Sequence, residues 1–287
     1  MILKLSNQEI AIQISGHGAE LVSLVKAGRE YMWNGDARYW NRHAPILFPA
    51  VGKPFNNEIH IDGQTFTMKQ HGFARDCEFD RVGPGLLRMQ EIQPDNYPYL
   101  FGLEAQYRLQ GSSVEITWTV ENLDTRDIFA QIGAHPAFQL PDYHEEDPVH
   151  GYVRYYDAAG QPVSPVMVSD LDDGNRVRLP EPVRIPAEMP VTGESFARDA
   201  LIFEDGQVAT TELCDKDGRP VLQVECPQAQ AYGIWAPYKP GCPFVCLEPW
   251  CGLCDEKGYT GDISGRTYIH RVAPGEKYSF TYTITVF

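Results

Sequence analysis

Hydrophobic and polar positions alternate along much of this chain. The segments Gln8 to Ile14, Val114 to Val120 and Tyr278 to Val286 each place an apolar residue at nearly every second position. A period of two sends successive side chains to opposite faces, so these segments predict half-buried strands. Residues 1–26 read as strands broken by Gly16-His17-Gly18. Ile59-His60-Ile61 and Gln64-Thr65-Phe66-Thr67-Met68 flank Asp62-Gly63, a pair favoured where both turn residues need positive φ, which predicts a hairpin. A second hairpin is expected around Asp217-Gly218. The apolar run Phe244-Val245-Cys246-Leu247 predicts a buried strand, which Pro249 is expected to end because proline cannot donate to a ladder. Helical signals are few: Arg38-Tyr39-Trp40 and part of 195–200 each suit a single turn. Many short strands joined by Gly-, Pro- and Asp-rich turns predict an all-β fold, a large antiparallel two-sheet sandwich. No repeat, low-complexity segment or linker interrupts the chain, so one domain spanning 1–287 is expected.

Composition narrows the partners. The net charge of −15 repels nucleic-acid phosphates and anionic membranes, so neither is an expected partner. No apolar run approaches the roughly 20 residues a membrane helix needs, and the N-terminus lacks a signal-like apolar stretch, so a cytoplasmic location is expected. The seven cysteines are an odd number clustered late, which does not suggest a disulfide framework. Cys242, Cys246, Cys251 and Cys254 have C-x3-C then C-x2-C spacing, but only four residues, Pro249 among them, separate the pairs. A zinc ribbon needs a longer insert, so reduced core and loop cysteines are the expected state, with no metal or other cofactor.

Four stretches carry candidate chemistry. Glu248 follows the apolar run and precedes Pro249-Trp250. A carboxylate at the mouth of a core strand is partly desolvated, which raises its pKa toward the range useful for proton transfer; a solvated strand-end Glu is the plain alternative. In Phe129 to Pro136, Ile128, Ala130, Ile132 and Ala134 would share a core face, and Gln131, Gly133 and His135 would line a groove, with Gly133 leaving room for a ligand beside the imidazole. A histidine with no task at a strand end fits equally well. Gln70-His71-Gly72-Phe73-Ala74-Arg75, read as ending a strand, suits donation to sugar hydroxyls or phosphate, or is only a turn. Arg42 precedes the Ala44-Pro45-Ile46-Leu47-Phe48-Pro49 run and is either a substrate ligand or a charged cover for a sheet edge.

Together these segments resemble the aldose 1-epimerase (galactose mutarotase-like) family, in particular its LacX-like branch. The matching residues are Arg42 with Ala44 to Pro49, Gln70 to Arg75, Gly133 to Phe138, Asp199 to Phe203, and Leu247 to Trp250, in family order across most of the chain. The resemblance implies a β-supersandwich with an open cleft for a hexose. It implies His135 as general acid, Glu248 as general base, and Arg42, His71 and Asp199 as sugar ligands, with Arg75 beside them. The longer sugar-contacting loop of full-length galactose mutarotases is absent, so galactose is not implied as the substrate.

Anomer interconversion opens a hemiacetal and recloses it. A proton goes to the ring oxygen while another leaves the C1 hydroxyl. The expected geometry is an imidazole and a carboxylate facing each other across a gap one pyranose wide, the carboxylate keeping His135 protonated. The pair Arg42 and Arg75 also suits a hexose 6-phosphate. Other readings are a non-catalytic carbohydrate-binding sandwich and a glycoside hydrolase using Asp199 with Glu248, which a chromogenic glycoside tests. The assembly is expected to be a monomer or homodimer with a small-molecule sugar as partner.

Overall fold

A computed structural model describes residues 1–90 and 94–287. Nearly all regular structure is antiparallel β, as the alternation predicts. A nine-stranded sheet runs in the order 188–190, 152–156, 210–214, 220–225, 277–286, 113–122, 101–110, 86–89, 79–83. Its central strands show why they form. In Ser113–Asn122, Val114, Ile116, Trp118 and Val120 are buried while the intervening residues are half-exposed. Lys277–Val286 pairs beside it and buries Phe280, Tyr282, Ile284 and Val286. Threonine and serine on the outer face bond across the ladder, Thr117 to Thr281 and Ser113 to Thr285. A four-stranded sheet of residues 2–6, 10–15, 21–26 and 29–30 adds Ile10, Ile12 and Ile14 to the same core.

Both expected hairpins form. Glu58–Ile61 and Gln64–Thr67 join through Asp62 and Gly63, both at positive φ (51° and 77°). Thr210–Cys214 and Pro220–Glu225 pair around the turn at Gly218. The two helical signals resolve as turns; the Tyr39 and Trp40 amides both donate to the Asp36 carbonyl. Among the described residues no helix is long and apolar enough to cross a membrane.

A six-stranded sheet holds the site. Its order is Leu201–Phe203, Ala231–Trp235, Phe244–Cys251, Ile132–Ala134, Ile46–Leu47, with Ala137–Gln139 also pairing to Phe244–Cys251. The central strand departs from expectation: it continues through Pro249 to Cys251. The neighbouring chain explains this. The Leu247 amide donates to the Pro136 carbonyl, so two residues on, the N–H that proline lacks falls on the same side. There residues 135–136 lie outside the ladder, between the two short strands.

Candidate functional site

Alternation along Phe244–Cys251 sorts the site from the core. Val245, Leu247 and Cys251 face the main core, while Cys246, Glu248 and Trp250 face the other side of the sheet. The Trp250 indole lies flat against that side because two neighbours lack a Cβ. A Cβ on Gly133 would come within 2.7 Å of the indole, and one on Gly233 within 2.6 Å. Both glycines are register neighbours of this strand: Gly133 opposite Trp250 and Gly233 opposite Glu248. Gly133 therefore makes room for Trp250, not for a ligand as its position suggested. Gln131 is likewise no groove residue. It is fully buried and ties Val51, Leu253 and Thr267 together through their backbones. The continuous strand expected over 128–134 is in fact two, in different sheets, broken at Gln131.

A cavity of about 760 Å³ opens over Glu248 and Trp250. All six residues singled out in the sequence line it: Arg42, His71, Arg75, His135, Asp199 and Glu248. His135 sits where the chain leaves the ladder between Ile132–Ala134 and Ala137–Gln139. Its Nε2 lies 3.2 Å from Glu248 Oε2. The expected gap of one pyranose is absent: the two groups touch. Trp40 stacks on the imidazole at 4.8 Å, and Trp235 meets it edge-on at 5.5 Å. Glu248 is only 1% exposed and His135 6%.

The cationic side of the cavity is built from two loops. Glu20, buried below, accepts the His43 and Ala44 amides at 2.7 and 2.9 Å, which fixes the loop presenting Arg42. Burial pushes the Glu20 carboxyl up, but the His43 side chain, and then these two amide bonds, outweigh it and hold the group below its ordinary value. Arg42 donates to Asp76 at 2.7 Å, and Arg75 donates to the Gln70 carbonyl at 2.7 Å. The segment Gln70 to Arg75 does not end a strand; it is a loop closed by the Ala74–Asp76 3-10 turn. His71, at φ 66°, accepts the Gly52 amide on Nδ1 at 3.1 Å, so its neutral form carries the proton on Nε2. Burial, then the charges of Arg75, His135 and Arg42, keep His71 well below its ordinary pKa. Asp199 lies opposite in an exposed turn at φ 96°, a strained angle for a residue with a side chain. Its charge reaches Glu248.

Buried polar atoms without a hydrogen-bond partner concentrate here. Arg75 Nε, His135 Nδ1, Glu248 Oε2 and Trp250 Nε1 all belong to cavity residues. Such atoms cost stability and collect where chemistry requires them. Trp40 and Trp235 were missed in the sequence. The available signal was an aromatic pair, Tyr39-Trp40, set among polar residues just before Arg42. The four late cysteines do not converge. Cys254 packs with Leu47 and Trp250, Cys251 lies in the main core, and Cys242 and Cys246 lie near Phe244. His135, Cys246 and Glu248 do bring donor atoms within 4.8 Å of one another. Burial and then Glu248 push the Cys246 thiol well above its ordinary pKa, which favours the protonated thiol.

Protonation of the pair also differs from expectation. Burial, then Arg75, pushes the His135 imidazole down to about 3. Burial, then Asp199, pushes the Glu248 carboxyl well above 4.5, with the Trp250 indole opposing weakly. Both shifts favour the uncharged forms, a protonated carboxyl beside a neutral imidazole. This gives a pH prediction with a definite sign. A raised folded-state pKa means that the folded protein keeps a proton the unfolded chain has lost, so Glu248 stabilises less as pH climbs. Glu248→Gln should therefore gain on the parent protein above about pH 4.5, by about 1.4 kcal/mol per pH unit until the folded-state pKa is passed. Urea unfolding from pH 5 to 8 reads this directly. A resident imidazolium–carboxylate pair gives the opposite result, a variant weaker than its parent throughout.

Comparison with known proteins agrees with this architecture. The family model described as aldose 1-epimerase matches residues 1–285. The plasmid-encoded protein LacX of Lactococcus lactis subsp. lactis is 28% identical, with 100% of this chain and 99% of the relative covered. A solved galactose mutarotase related enzyme from Lactobacillus acidophilus is 27% identical with a TM-score of 0.90, covering 100% of this chain and 97% of that one. A galactose mutarotase-like protein from Lactobacillus casei shares the fold, with a TM-score of 0.86 at 24% identity and full coverage of both chains.

Proposed function

The chain belongs to the aldose 1-epimerase family, and on that premise we propose that it acts as a single-domain isomerase interconverting the α and β anomers of a hexose. The observation that carries this reading is the contact between His135 and Glu248 on the floor of a polar cavity. The ring oxygen and the C1 hydroxyl sit on the same carbon. A bifunctional acid–base pair therefore needs its two groups side by side, not a sugar's width apart. Moving the shared proton across the contact gives imidazolium and carboxylate, the acid and base that ring opening requires. A C1 hydroxyl donating to Glu248 stabilises the ionised carboxylate and favours that transfer. His135 then protonates the ring oxygen while Glu248 takes the hydroxyl proton, and the roles reverse on reclosure. His71 Nε2, Arg42, Arg75 and Asp199 would hold the other hydroxyls, with the Trp40 and Trp250 rings against the sugar's apolar faces.

One observation favours a hexose 6-phosphate within the same reading. Burial and the nearby Arg42 push Arg75 down to about 10, and the charges of Arg75 and Arg42 are what, after burial, hold His135 down. A phosphate between these guanidiniums would offset that charge and raise the His135 pKa, favouring the imidazolium that donates to the ring oxygen. Polarimetry with freshly dissolved glucose, galactose and glucose 6-phosphate tests both forms. Faster equilibration of at least one sugar is expected, with the phosphate ester preferred by about tenfold in kcat/KM. No acceleration of any hexose or ester overturns the proposed function; equal rates for glucose and its ester remove the phosphate.

A further inference from the structure

A second cavity of about 340 Å³ adjoins the first and shares Phe196, Pro237 and Tyr238 with it. Its character differs. Among the described residues no arginine lines it; Glu145 and Glu194 contribute carboxylates, and Lys239 contributes an ammonium that donates to the Arg38 and Tyr39 carbonyls. Tyr143 and His150 form an aromatic pair on its wall, with rings 4.6 Å apart at 34°. His150 is 5% exposed and its Nδ1 is buried without a hydrogen-bond partner. Phe244, also on the wall, stacks against Trp40, which lines the first cavity, so aromatic surface continues from one cavity to the other. At the shared boundary, the Tyr238 hydroxyl donates to Glu194 at 3.0 Å, and the carboxylate keeps lone pairs for other donors.

We propose that this cavity is a second glycosyl subsite, which takes the next sugar of an oligosaccharide whose reducing end occupies the first cavity. The inference rests on the hexose reading of the first cavity. Aromatic rings suit the C–H face of a pyranose, and carboxylates accept from its hydroxyls. Two carboxylates against one lysine, whose ammonium is already held by two backbone carbonyls, leave the lining net negative, which disfavours a phosphate and favours an uncharged sugar. Ring opening needs a free C1 hydroxyl in the first cavity. The chain therefore extends from another hydroxyl of that ring, and the ligand class is a reducing disaccharide or longer.

Calorimetry and polarimetry with maltose, cellobiose and lactose, beside glucose and galactose, test this. At least one disaccharide should bind about tenfold tighter than its reducing-end hexose, equivalent to one stacking contact and one hydrogen bond. Tyr143→Ala and Glu194→Gln, neither of which lines the first cavity, should each lose most of that gain and leave hexose binding and turnover within twofold of the parent. Disaccharides that bind no tighter than hexoses, or a gain that survives both variants, overturn the subsite. The two readings fail separately. Hexose turnover without a disaccharide gain removes only the subsite. A variant-sensitive disaccharide gain without turnover keeps the subsite and removes the epimerase.

Discussion

Glu248→Gln should lower kcat/KM for anomer interconversion by about 10³-fold while the fold is kept. The size follows from the role: a positioned acid or base is worth about 10² to 10⁴ in rate, so losing one of a concerted pair removes about 4 kcal/mol of transition-state stabilisation. The fold survives because glutamine has the same shape and keeps an uncharged polar group against His135. His135→Asn should lose a similar factor, and the double variant little more, because two groups sharing one proton act as a unit. Polarimetry at a single pH measures all three rates, and circular dichroism checks the fold. A Glu248→Gln rate within tenfold of the parent removes the carboxylate from the mechanism and leaves a sugar-binding protein.

The sequence revealed what local rules govern. Period-two alternation marked the strands at 113–122 and 277–286, and Asp62-Gly63 marked its hairpin, because both signals depend only on neighbouring residues. His71, His135 and Glu248 were also legible, since each lies next to a glycine or proline that interrupts a pattern, whereas Asp199 was reached only through the family resemblance. What stayed hidden depends on pairing across the chain. Pro249 reads as a terminator until the gap between 132–134 and 137–139 is placed beside it. Gly133 reads as ligand space until Trp250 is set opposite. The direct contact of His135 with Glu248, and the burial that reverses the expected charge on the imidazole, follow from a register between residues more than a hundred positions apart. Periodicity tells which face a side chain occupies, never which strand lies alongside.

Gly72→Ala should be the most damaging small substitution in the site, costing about 3–5 kcal/mol. Gly72 has φ 71°, where a side chain is already strained, and an added Cβ would lie 2.1 Å from the Phe48 carbonyl oxygen and 2.6 Å from Pro49 N. Those neighbours are backbone, so nothing flexible can yield. The approach is locked by reciprocal bonds: the Phe73 amide donates to the Phe48 carbonyl at 3.0 Å, and the Phe48 amide donates to the His71 carbonyl at 3.3 Å. Gly63 supplies the control. It has φ 77° and nothing within 4 Å of an added Cβ, so Gly63→Ala pays only the left-handed backbone cost of about 1 kcal/mol. The difference between the two variants in urea unfolding isolates the close approach from the backbone angle. Equal losses would mean that residues 48–49 and 70–75 are not held together as described. If the difference is as large as expected, the loop carrying His71 and Arg75 is positioned by a backbone contact no side chain can replace, and any variant tolerated at Gly72 should show weakened sugar binding before it shows slowed chemistry.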